Sequence, residues 1–196
     1  MLFLAATLLS STPAAEANDV PHRKHFVSTS LFMIANLLPN PPSFVQANFG
    51  TRLTKRDVLI VEAITWTYDA PLGIPWGPEK GAPTNAFPGF ARDVGVGLAY
   101  QRFWWEGLFT TIHATPFLQT YHDEDGKRLA TGFQLFLTAR LGWRFDLFRK
   151  RLFIEPSIAA TAWPINTNLP RAFQREEDRW PGYFLAEPGL NVGVQF

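Results

Sequence analysis

Leu129–Asp146, LATGFQLFLTARLGWRFD, decides the fold. Alternate residues from Leu129 are Leu129, Thr131, Phe133, Leu135, Leu137, Ala139, Leu141, Trp143 and Phe145, mostly large and apolar. The residues between them include Gly132, Gln134, Thr138, Arg140, Gly142, Arg144 and Asp146, which are small, polar or charged. Successive side chains of a strand point to opposite faces, so this alternation predicts one long strand with an apolar face and a polar one. A helix would need the apolar residues at spacings of three and four.

Weaker alternation recurs on both sides. Strands are predicted at His25–Leu37, Phe44–Thr54, Val58–Tyr68, Asp93–Phe103, Leu108–Tyr121, Leu152–Ile165 and Tyr183–Phe196, making eight with Leu129–Asp146. In Asp93–Phe103, Val94, Val96, Leu98 and Tyr100 oppose Gly95, Gly97, Ala99 and Gln101. The links at Thr54–Asp57, Trp104–Gly107 and Leu147–Arg151 are short, and those between them are longer on the whole. Strands joined alternately by tight turns and long loops are expected of an eight-stranded antiparallel up-and-down transmembrane β-barrel. Trp66, Tyr68, Tyr183 and Phe184 at one end, with Trp104, Trp105, Trp143 and Phe145 at the other, are expected as interfacial girdles.

Composition narrows the function classes. Lys and Arg total 18 against 17 for Asp and Glu, so the chain has no electrostatic footprint for nucleic acid. It has no cysteine, which excludes disulfides, thiolate catalysis and cysteine-ligated metals. Met1–Leu9 is apolar and Ala15-Glu16-Ala17 fits a small-x-small cleavage site. A signal peptide over residues 1–17 and a barrel domain over 18–196 are therefore expected.

The last residues, GLNVGVQF, place Leu190, Val192, Val194 and Phe196 in one phase. This resembles the terminal strand of bacterial outer-membrane β-barrel proteins. The resemblance implies localisation in the bacterial outer membrane and Phe196 as an assembly signal read by the barrel-assembly machinery. It also implies contact with outer-membrane lipid or lipopolysaccharide.

Eight strands enclose a space that side chains fill or that takes one small ligand. The polar phases predict an interior network of Arg52, Glu62, His113, Gln134, Arg140, Arg144, Glu155 and Glu187. Its acids and bases are equal in number, so ion pairs are expected, with Arg140 to Glu155 on the adjoining strand as the first choice. A lipid-modifying enzyme would need a serine, a histidine and a carboxylate in register. His22, His25, His113 and His122 offer no such pattern beside Ser28, Ser30, Ser43 or Ser157, and no catalytic, metal or cofactor-binding residue is assigned. The expected function is a structural or ligand-interacting outer-membrane barrel without an open pore. The alternatives are a lipid-modifying enzyme of that membrane and a periplasmic lipocalin-like binding barrel.

Overall fold

The computed structural model describes residues 23–39, 41–75 and 77–196; the expected leader at 1–17 lies outside them. Nine strands form one antiparallel sheet: β1 (His25–Ser30), β2 (Val45–Arg52), β3 (Asp57–Tyr68), β4 (Phe90–Trp105), β5 (Leu108–His122), β6 (Arg128–Trp143), β7 (Phe145–Leu147), β8 (Leu152–Asn166) and β9 (Tyr183–Gln195). One α-helix, α1 (Arg171–Glu177), lies in the β8–β9 link. The sheet order is β6-β5-β4-β3-β2-β1-β9-β8-β7, with a further ladder between β6 and β8. Each of the eight long strands thus has a partner on both sides, and one face of the curled sheet lines an interior.

The expected eight-stranded up-and-down transmembrane barrel is corrected. The sheet has nine strands, and β6 passes over its chain neighbour β7 to pair with β8. The outer-membrane localisation and function were built on the eight-stranded arrangement and fall with it. The resemblance of the chain end to outer-membrane barrel proteins therefore does not extend to the sheet. Among the described residues no helix is long and apolar enough to cross a membrane.

Two local interactions account for the changed boundaries. The stretch expected as one strand over Leu129–Asp146 breaks at Arg144, whose backbone N–H donates to the Gly107 carbonyl at 2.8 Å. Its side chain turns inward to Glu155. The stretch expected as a strand over His25–Leu37 stops at Ser30, whose Oγ accepts from the Phe32 N–H and caps a 3₁₀ helix over Leu31–Leu37. Asn36 then grips Phe44 at both backbone groups, at 2.6 and 2.9 Å, and fixes the entry to β2.

The alternation has a definite direction. On β4, Ala91, Asp93, Gly95, Gly97, Ala99, Gln101 and Phe103 are buried, while Val94, Val96, Leu98 and Tyr100 are exposed. On β6, Gln134 and Thr138 are buried while Phe133, Leu137 and Leu141 are exposed. The small and polar phase therefore faces the interior and the large apolar phase faces out, the reverse of the usual partition.

Apolar clusters close the interior at both ends. At one end Phe26, Val58, Phe103, Phe109 and Phe153 pack together. At the other, Phe87, Ala91, Tyr121 and Phe173 of α1 do so, with Tyr68 and Leu169 against them. Trp66 and Tyr68 belong to this interior rather than to an outer girdle, because both donate to the buried Asp93 carboxylate. Phe153 is 1% exposed and meets the Phe26 ring edge-on at 5.2 Å. Phe153→Ala should lower unfolding stability by about 3–5 kcal/mol, read from the urea midpoint by circular dichroism.

Candidate functional site

Between the two apolar ends lies a cavity of about 390 Å³. Its aromatic wall comes from Phe117 of β5, Phe136 of β6, Trp163 of β8 and Trp66 of β3. Phe136 stacks on Trp163 at 5.9 Å and meets Trp66 edge-on at 6.2 Å, so three strands present one continuous ring surface. Leu72, Lys80, Phe32 and Phe44 of the connecting segments and Phe184 at the start of β9 also line it, with the Lys80 ammonium 4.9 Å from the Phe184 ring centroid.

The polar wall is built in two groups. In the first, Glu62 of β3 is 2% exposed and its Oε1 faces His113 Nε2 at 3.2 Å. Thr115 donates to Oε1 at 3.1 Å, and Gln46 donates to Oε2. Burial works to raise the Glu62 pKa; the hydrogen bonds from His113, Gln46 and Thr115, together with the charge on His113, outweigh it and hold the carboxyl below its ordinary range. Gly97 lies directly opposite Glu62 in the β3–β4 ladder. A Cβ there would run into Thr115 Oγ1 and His113 Nε2, so this glycine makes the room in which the group assembles. The Thr115 hydroxyl donates its hydrogen bond to Glu62, and His113 Nε2 meets both residues, so the three do not form a nucleophile–base–acid relay.

In the second group, Arg140 of β6 donates to Glu187 Oε1 at 3.0 Å and to Ser157 Oγ at 3.1 Å. The expected Arg140–Glu155 pair is thus corrected. Glu155 is taken by Arg144 at 2.7 Å, and the β8–β9 ladder sets Glu187 opposite Ala159, itself the partner of Arg140. Gly189 permits this, since a Cβ there would clash with the Arg140 guanidinium.

Of the remaining expected interior residues, Glu155 lines the cavity, whereas Gln134, Arg52 and Arg144 lie outside its wall. Gln134 is buried in β6 beyond it. Arg52 and Arg144 sit at the phenylalanine-rich end, where the Arg144 guanidinium lies 4.1, 4.8 and 4.9 Å from the Phe153, Phe26 and Phe103 ring centroids. Burial and the neighbouring Arg144 charge lower the Arg52 pKa to about 10. Phe196 closes the last ladder, exchanging backbone hydrogen bonds with His25 at 3.0 and 2.9 Å. Among the described residues no three His, Asp or Glu side chains gather as a metal ion would require.

Sequence reasoning missed a third interior group. Asp93 of β4 accepts from Trp66 Nε1 at 3.1 Å, Gln119 at 3.3 Å and Tyr68 at 3.4 Å, all at Oδ2. Tyr121 in turn donates to Gln119 at 2.7 Å. Glu177 of α1 accepts from Trp163 Nε1 at 2.8 Å, so both indoles of the aromatic wall hang from acids behind it. The signal was present: Asp93 shares its phase with Gly95 and Gly97, the side that turns inward.

No family model matches the chain, and no curated protein or solved structure shows significant similarity to it.

Burial drives the Asp93 pKa up to about 7, against the lowering by its three donors. The folded state therefore holds a proton that the unfolded chain releases near its ordinary value of 3.8. Stability contributed by this proton is complete at low pH and declines as pH rises from about 4 to about 7. Asp93→Asn should flatten that decline and stabilise the protein at pH 8 relative to wild type, measured by urea unfolding across the pH range.

Proposed function

We propose that the chain is a binding domain for a small uncharged amphiphile held in the interior cavity. The observation that carries this reading is the division of the cavity wall. One part is aromatic, and the other presents polar groups whose charges already have partners: Glu62 with His113, and Arg140 with Glu187. Small-molecule sites are mostly apolar, with a few convergent polar groups, and occupy roughly 300–1,000 Å³. A ligand with its own charge would have to displace one of these pairs and leave a partner in the interior without its counter-charge. An uncharged head needs no such exchange. It meets Asn48, Thr111 and Thr138 on the same wall while its apolar part lies along Phe117, Phe136 and Trp163.

The uncharged probe N-phenyl-1-naphthylamine and the anionic probe anilinonaphthalene sulfonate separate the possibilities by fluorescence titration. The neutral probe should bind saturably at one site, with the anionic one about tenfold weaker or more, as a lost pairing of about 1.4 kcal/mol dictates. Ala99 is 4% exposed and lines the cavity, so Ala99→Phe fills it while leaving the outer face unchanged. This variant should lose the saturable binding. Unaltered binding in Ala99→Phe would place the probe on the outer face and overturn the reading.

A further inference from the structure

The phenylalanine-rich end of the interior contains polar atoms that the cavity does not use. Arg52 and Arg144 both lie over the Phe103 ring, with guanidinium carbons 5.1 and 4.9 Å from its centroid. Arg144 is nearly inaccessible and spends two of its nitrogens: Nε on Glu155 at 2.7 Å and Nη2 on Gln101 at 3.2 Å. Its Nη1 is buried with no hydrogen-bond partner. Arg52 Nε and Nη2 are likewise buried and unpartnered. These two nitrogens form one edge of the guanidinium plane, with parallel N–H bonds that match two oxygens of an oxyanion. Gln195 gives its Nε2 to Asp146 at 2.6 Å, while its Oε1 is a buried acceptor with no donor.

We infer that this end of the interior is an oxyanion site for a hydrogen phosphate group, taken by the Nε/Nη2 edge of Arg52 and by Arg144 Nη1, with Gln195 Oε1 accepting from the phosphate hydroxyl. Three observations favour it. The two cations stand close together, and the two carboxylates beside them are already engaged, Glu155 by Arg144 and Gln101 and Asp146 by Gln195. The unused Arg52 edge is bidentate, which suits a planar pair of oxygens rather than a halide. The orphan acceptor asks for a ligand that also donates, which a carboxylate does not do and a hydrogen phosphate does. Neither arginine lines the cavity, although Glu155 and Gln101, which hold Arg144, do.

The chemistry is shared by free phosphate and by the phosphate of a lipid or other monoester, and the test separates them. Thermal unfolding of the full chain is followed against inorganic phosphate, and separately against dihexanoyl phosphatidate below its micelle concentration, with sodium chloride at matched ionic strength as control. A ligand that binds only the folded state raises Tm steadily with the logarithm of its concentration beyond Kd. Wild type should show that rise with phosphate and not with chloride. A rise with both phosphate ligands identifies free phosphate as sufficient, and a rise with phosphatidate alone identifies a headgroup. Arg52→Gln should weaken binding about tenfold or more, the loss expected for one bidentate charge-assisted contact. Arg52→Lys keeps the charge and loses the edge, so it should fall close to Arg52→Gln. Isothermal titration of the same three proteins gives Kd directly. No rise with either phosphate ligand in wild type, or equal Kd in wild type and Arg52→Gln, would overturn the site.

Discussion

The buried guanidinium of Arg144 is the point through which the strands hold one another. Its side chain interrupts the decisive stretch between β6 and β7 and turns inward. There it binds Glu155 of β8 and Gln101 of β4, and lies over rings from β1, β4 and β8. A buried cation is tolerable only with charge and hydrogen-bond partners in place. Here the aromatic faces add the favourable geometry of a cation over the negative side of a ring. Removing Glu155 from this arrangement is not comparable to trimming an apolar side chain, because it leaves the guanidinium uncompensated.

The interior repeats this logic in tiers. Glu62 with His113, Arg140 with Glu187, and Asp93 with its three donors are each assembled from side chains of at least two strands. The first two tiers need a glycine opposite: Gly97 makes room for the first and Gly189 for the second. These two glycines therefore serve polar groups rather than turns. The cavity is the space left where these tiers do not meet, and its aromatic wall is oriented by carboxylates one layer behind, Asp93 and Glu177.

Much of this was legible in the residues, and the misses have definite causes. The period of two in Leu129–Asp146 and in Asp93–Phe103 gave strands and separated the faces, because burial follows the pleat. The strand count failed at Arg144 and the first strand's end at Ser30, where a single side chain or cap overrides a continuing pattern. The inward residues Arg52, Glu62, His113, Arg140, Arg144, Glu155 and Glu187 were recognisable by phase, but their partners were not. Pairing across β6, β8 and β9 depends on register and bulges, such as the shift between Ala159 and Thr161, which no local pattern encodes. Asp93 escaped notice because it opens its predicted strand, where phase is hardest to assign.

The outward direction of Val94, Val96, Leu98, Ile112, Leu118 and Leu141 has a consequence for the protein's behaviour as a colloid. Most proteins aggregate through their unfolded state, so stabilising the fold suppresses association. Here the folded state itself displays the apolar surface. Association in plain buffer would then grow with the concentration of correctly folded molecules. A mild denaturant or an added surfactant would disperse it before any strand is lost.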